Sequence, residues 1–216
     1  MAKQAYVYSG TDWVPLASEV TNLSSYYTSA QTDIITAPTG LKLLVPTSVA
    51  VGSGTGTASA SGTVTFTTVS SVSLNGVFSS TYDNYLILVE VIPATGSQLN
   101  FKLRASGTDT STGYNRQVLL ADDTTPSAGR STNQTVYDLF GTTTSQRTAI
   151  EILLYRPNVA GTTGGIVKVS KAYDSSTPVI GIKTFGQTAS TQFDGFSLIP
   201  ASSTVTGKVS VYGFSE

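Results

Sequence analysis

The stretch Leu99-Asn100-Phe101-Lys102-Leu103-Arg104-Ala105 alternates apolar and polar residues without a break. A β-strand turns successive side chains to opposite faces. This stretch therefore buries Leu99, Phe101 and Leu103 on one face of a sheet and wets Asn100, Lys102 and Arg104 on the other. A helix would scatter the same residues around its axis. The pattern recurs along the chain. Val64 and Phe66 alternate with Thr63, Thr65 and Thr67. Val205, Val209 and Val211 share one parity, against Thr206, Lys208, Ser210 and Tyr212 on the other. Residues 85–92 form an apolar run broken only by Glu90, which reads as a central strand covered on both faces. Residues 149–155, 166–173 and 179–185 add further strands. The best helical candidate, residues 17–30, is crowded with Ser, Thr and Tyr and has no clean apolar stripe.

Turn chemistry separates these runs. Ser106-Gly107-Thr108-Asp109, Ser127-Ala128-Gly129, the Gly/Thr run at 160–165 and Asp194-Gly195 supply residues that accept positive φ or close Asx turns. Roughly ten strands at short spacing predict an all-β chain, an antiparallel β-sandwich or jelly roll.

The N-terminal end reads differently. Tyr6-Val7-Tyr8 and Trp13-Val14-Pro15-Leu16 flank Ser9-Gly10-Thr11-Asp12, the pattern of a short hairpin rich in aromatics. A lone hairpin is marginal in water and needs a partner surface. The run from Gly52 to Gly62 contains no side chain larger than Thr and reads as a flexible connector. The competing reading is a wide loop between two strands of one domain. The expected organisation is an extended arm over residues 1–51, a connector over 52–62 and a β-sandwich domain over 63–216. Tyr6, Tyr8, Trp13, Tyr26 and Tyr27 concentrate in the arm. They suit anchoring against another chain, with ordinary packing onto the β domain as the alternative.

Charge and composition narrow the function classes. The 216 residues carry 12 Lys and Arg against 13 Asp and Glu, for a net charge of −1. The basic residues are scattered, so neither a nucleic-acid footprint nor a polybasic membrane patch is expected. With no cysteine, disulfides, thiolate metal sites and thiol nucleophiles are excluded. With no histidine, the commonest general base and metal ligand are gone. No apolar run approaches the ~20 residues of a membrane-spanning helix. The opening Met1-Ala2-Lys3-Gln4 lacks the apolar segment of a signal peptide, so synthesis in a cytoplasm is the expectation.

The remaining candidates for chemistry are carboxylates. Asp122 and Asp123 are adjacent, so on a strand they face opposite ways. Asp83, Asp109, Asp138, Asp174 and Asp194 sit beside turn-forming residues, which explains them without catalysis. Glu90 and Glu151 lie within apolar strands, where an acid is either solvent-facing at an edge or paired with Arg or Lys. Asp109 with Ser111 and Thr112, or Asp122 with Asp123, offers oxygens to calcium, but far fewer carboxylates than such sites use. No catalytic residue, cofactor or metal site is expected. The sequons at Asn22 and Asn133 are chance matches without a secretory route. The loop 161–165 lacks the Lys and following helix of a phosphate loop.

Several segments resemble a type of bacteriophage virion protein best represented among marine and freshwater phages. They are Gly40-Leu41-Lys42-Leu43-Leu44-Val45-Pro46-Thr47-Ser48-Val49; residues 72–85, containing Val72-Ser73-Leu74-Asn75-Gly76-Val77-Phe78 and Tyr82-Asp83-Asn84-Tyr85; Phe101-Lys102-Leu103-Arg104-Ala105-Ser106-Gly107-Thr108-Asp109; and Phe193-Asp194-Gly195-Phe196-Ser197-Leu198-Ile199-Pro200, followed by Thr206-Gly207-Lys208-Val209-Ser210-Val211-Tyr212-Gly213. The start at Ala5 to Val14 also looks like the opening of many phage tail proteins. The resemblance covers most of the chain from residue 40 onward, except 113–165. It implies a structural role in the particle and carries no catalytic residues. The expected function is therefore a non-enzymatic tail appendage, a fibre or receptor-binding subunit, with a capsid decoration protein as the alternative and a polysaccharide depolymerase as a minor one. The expected partners are other virion proteins through the arm, further copies of the chain as a trimer by analogy with phage fibres, and a host surface glycan. The expected location is the virion.

Overall fold

The structure is a computed structural model. It describes residues 6–8, 10–11, 13–15, 40–121, 124–142, 144–171 and 178–215. The chain divides into two compact units, Met1–Thr39 and Gly40–Glu216. In the first, strands β1 (Tyr6–Tyr8) and β2 (Trp13–Pro15) pair antiparallel as a hairpin, with Tyr8 opposite Trp13 and Tyr6 opposite Pro15.

The second unit is all-β, with no helix among the described residues. Its strands are β3 (Gly40–Leu43), β4 (Ser48–Val51), β5 (Thr55–Ala58), β6 (Val64–Val69), β7 (Val72–Asn75) and β8 (Asn84–Pro93). Then come β9 (Gln98–Ala105), β10 (Thr108–Asp109), β11 (Tyr114–Ala121), β12 (Ser127–Gln134), β13 (Tyr137–Gly141) and β14 (Thr148–Tyr155). The last four are β15 (Thr163–Lys171), β16 (Val179–Gln187), β17 (Gly195–Pro200) and β18 (Val205–Ser215).

Among the described residues every pairing is antiparallel, and the strands of this unit form two layers. The large sheet has ten strands in the order β12-β11-β16-β15-β14-β8-β18-β6-β5, with β3 also on β18. The small sheet has six, β10-β9-β17-β7-β4, with β13 also on β9. The layers meet through the side chains that alternation assigns to the interior. Ile87, Val89, Ile152, Val167, Val209 and Val211 come from the large sheet, and Val72, Leu74, Leu99, Phe101, Leu103 and Phe196 from the small one, all buried. Phe101 stacks on Phe196 within its own sheet and meets Phe185 of the large sheet edge-on at 5.7 Å. These contacts establish an antiparallel β-sandwich.

Three expectations change. The proposed connector is not one. Thr55–Ala58 pairs with β6 in the large sheet, while Ser48–Val51 pairs with β7 in the small sheet. The Gly52-Ser53-Gly54 link between them is a turn from one sheet to the other. Gly54 has φ +65°, and a Cβ there would lie 2.1 Å from the Thr67 carbonyl oxygen. Small side chains mark close backbone approach here, not slack. The arm boundary therefore falls at residue 39, because β3 and β4 belong to the sandwich. Second, Ser127-Ala128-Gly129 is the start of the edge strand β12, not a turn. Main-chain pairing to β11 holds it without an apolar face. Third, β8 packs on the small sheet with one face only. On its other face Leu88 is 41% exposed.

Candidate functional site

Three clusters gather the polar and exposed apolar side chains, and each is built by the register of its strands. On the outer face of the small sheet, Asn75, Arg104 and Asp109 lie in neighbouring registers of β7, β9 and β10, with Gly195 of β17 between β7 and β9. Arg104 pairs with Asp109 at 2.5 Å. It also donates to Asn75 Oδ1 at 3.0 Å, to the Ser73 and Ser197 hydroxyls at 3.1 and 2.8 Å, and to the Gly107 carbonyl. Ser197 donates to Asp109 at 2.7 Å and lies 2.8 Å from Ser73. A serine beside a carboxylate and a guanidinium resembles catalytic machinery in composition only. Ser197 is fully buried, so no substrate reaches its hydroxyl. The network satisfies the polar groups of four strands and fixes their order. Asp194, in the adjoining loop, accepts from the Ser106 amide at 3.0 Å and so pins the β9–β10 turn.

The second cluster lies between the sheets. Lys183 points inward from β16 and is 4% exposed. Its Nζ donates to the Asp138 carbonyl and carboxylate at 3.0 and 3.1 Å and sits 4.1 Å over the Phe140 ring. Gly181, two residues earlier, makes the room: a Cβ there would fall 2.1 Å from Phe140. Arg116 pairs with the same Asp138 carboxylate. Burial lowers the Lys183 pKa to about 8, against the opposing pull of Asp138. An amine with depressed basicity can act as a nucleophile, but this one is sealed between layers and already satisfied. Three tyrosines are core members as well. Tyr85, Tyr114 and Tyr137 are buried, and each hydroxyl hydrogen-bonds to main chain, at Ser79, at Leu103 and Thr110, and at Thr184. Burial pushes all three pKa values up.

The third region is the outer face of the large sheet. Leu43, Tyr212, Leu86, Leu153 and Ile166 form one cross-strand row over β3, β18, β8, β14 and β15. The next row, over β8, β14, β15, β16 and β11, is Leu88, Glu151, Lys168, Ile182 and Leu119. Ile180 is 67% exposed, Leu119 53% and Ile182 44%. Ile180 and Lys168 stand between two shallow troughs of about 500 and 330 Å³. The charges here are paired on the sheet itself: Glu151 with Lys168 at 2.6 Å, and Glu90 with Arg147 at 2.5 Å and Lys208 at 3.6 Å. Both strand glutamates thus follow the paired alternative.

The structure places Tyr6, Tyr8 and Trp13 together on the two strands of the N-terminal hairpin. Tyr26 and Tyr27 lie outside the described residues, as do Asp122, Asp123 and Asp174. Asp109, offered to calcium, is committed to Arg104. Among the described residues no three acidic side chains gather as a metal site, and no helix is long and apolar enough to cross a membrane. The exposed apolar face was missed by sequence reading. A signal was available in Leu119 and Ile166, which share a parity with Gln117 and with Lys168 and Ser170, but not in Ile180 and Ile182, because β16 buries Lys183 and Gln187 on its other parity.

No family model matches the chain, and no curated protein matches it. Among solved structures, a crystal structure of the botulinum neurotoxin serotype G binding domain is similar at a TM-score of 0.24 and 11% identity, over 84% of this chain. The chain spans 45% of the length of that one. A likeness so slight supports neither a fold nor a function assignment.

Proposed function

We propose that the chain is a non-enzymatic structural component of a bacteriophage particle, a tail-appendage subunit that works by surface contact. The observation that supports this reading is where the phage-like segments meet. Ser73 and Asn75 come from the segment 72–85, Arg104, Gly107 and Asp109 from 101–109, and Ser197 from 193–200. All six join in one hydrogen-bonded network. A shared pattern whose polar residues serve strand pairing is what a scaffold presents, and it offers no group to a substrate. On this reading Tyr6, Tyr8 and Trp13 of the hairpin contact other virion chains, and the sandwich faces outward, toward the host surface and its glycans. The test is immunogold labelling of purified particles with an antibody to this chain. Label on tail appendages is expected. Particles without label would overturn the virion assignment, and label on the head would replace the appendage by a capsid decoration protein. Hydrolysis of host surface polysaccharide by the purified chain would overturn the non-enzymatic part.

A further inference from the structure

We infer that the outer face of the large sheet is covered by a second copy of this chain. The inference rests on the reading that the protein works by contact, and it names the occupant of one face.

Three features point to a copy. The first is extent. The face runs over β18, β8, β14, β15, β16 and β11. Six strands at ~4.8 Å and eight residues along β8 at ~3.4 Å give a footprint of roughly 780 Å². That is close to the ~800 Å² per partner of a standard stable interface. The second is charge. Glu90 and Glu151 are each neutralised by Lys168, Lys208 or Arg147 on the same sheet. The face carries three basic groups against two acidic ones, each of them held in an ion pair, so no charge stands alone on it. The excess is one positive charge per copy, and the whole chain carries only −1, so two copies meeting here bring little repulsion. The third is shape. Ile180, 67% exposed, stands between two troughs, one lined by Leu88, Ala149 and Ser170 and the other by Leu119 and Ile182. One face thus holds both a ridge and a recess. Exchange about a two-fold axis fills both recesses and gives two copies; passing ridge to recess around a ring gives three.

The test uses the full chain. Sedimentation equilibrium at about 50 µM, within reach of ordinary micromolar interfaces, should give a mass of two or three copies. Ile180→Glu and Leu119→Glu, at exposed positions, should fold with unchanged circular dichroism and sediment as monomers. Ala50→Glu, exposed on the opposite face, should keep the oligomer. Because the chain has no cysteine, Ile180→Cys gives a single probe, and it should react with maleimide at least ten times more slowly in the oligomer than in the Leu119→Glu background. A wild-type monomer overturns the inference, as does an oligomer untouched by both glutamates. A monomer still found in particles would leave the contact reading standing while removing this occupant. An oligomer absent from particles would do the reverse.

Discussion

The two outer faces of this sandwich solve the same problem in opposite ways. On the small sheet, Ser73, Asn75, Arg104, Asp109 and Ser197 satisfy one another, so the face is complete within one chain. On the large sheet, leucine and isoleucine stand where alternation calls for polar residues, and the charges that remain are locked in pairs. The difference teaches that exposure and solvation are separate questions. A surface position can be polar because water covers it or because its neighbours do, and it can be apolar because something else covers it.

The inner face of the large sheet provides the yardstick for both. Val211→Asp puts an uncompensated carboxylate beside Ile87 on the buried face, and should cost upward of about 4 kcal/mol. Urea denaturation would then find the variant largely unfolded without denaturant. A folded variant of wild-type stability would show that β18 lies in another register.

Arg104→Ala tests the claim that the small sheet's outer face is built rather than merely wet. It leaves Asp109 without its ion partner, held by the Ser197 hydroxyl alone, and takes a donor from Asn75, Ser73 and Ser197, and should lower stability by about 3 kcal/mol. A loss under about 1 kcal/mol, typical of an exposed pair, would reduce the network to ordinary surface polarity.

Lys183 asks what a charge costs when it is sealed between the layers against one carboxylate. Its pKa of about 8 in the fold lies below that of an unfolded lysine. Between about pH 8 and 10 the unfolded chain therefore holds a proton that the folded chain has lost, and stability rises with pH by about 2 kcal/mol. Above about pH 10 the unfolded tyrosines ionise while buried Tyr85, Tyr114 and Tyr137 resist, so stability falls again. Urea midpoints at pH 7.5, 8.5 and 9.5 should follow the rise, and Lys183→Met should flatten it. Equal slopes in the two proteins would assign the effect elsewhere.

The smallest effect is the most direct reading of the comparison. Ile166 and Val167 are neighbours on β15, one outward and one fully buried. Ile166→Ser should change unfolding of dilute protein by less than about 0.5 kcal/mol. Val167→Ser should cost about 2 kcal/mol or more. Similar losses at both sites would mean that the outer face is already covered within a single chain.

Alternation made much of this fold legible. Residues 99–105 and 205–212 alone fix which side chains meet between the layers. What stayed hidden has physical causes. β5 and β12 are held by main-chain pairing and carry almost no apolar side chains, so periodicity is silent there. The run 85–92 does have two apolar faces, but sequence cannot say whether the second cover comes from the same chain. The Arg104 network was invisible because Ser73 and Ser197 are 124 residues apart. Its members were legible singly, as polar parity and turn residues, and only register joins them.

The place of β18 has a consequence for how the chain is made. β6 and β8 do not pair with each other; β18 lies between them and joins their edges, with Val205 opposite both Val69 and Pro93. During synthesis both edges wait unpaired while more than a hundred further residues emerge. Closure is then a late, long-range event, so folding is slow and nascent chains are exposed to edge-to-edge mispairing. Ribosomes stalled before residue 205 should hold chains that proteases still cut within β6, and release of β18 should protect that strand.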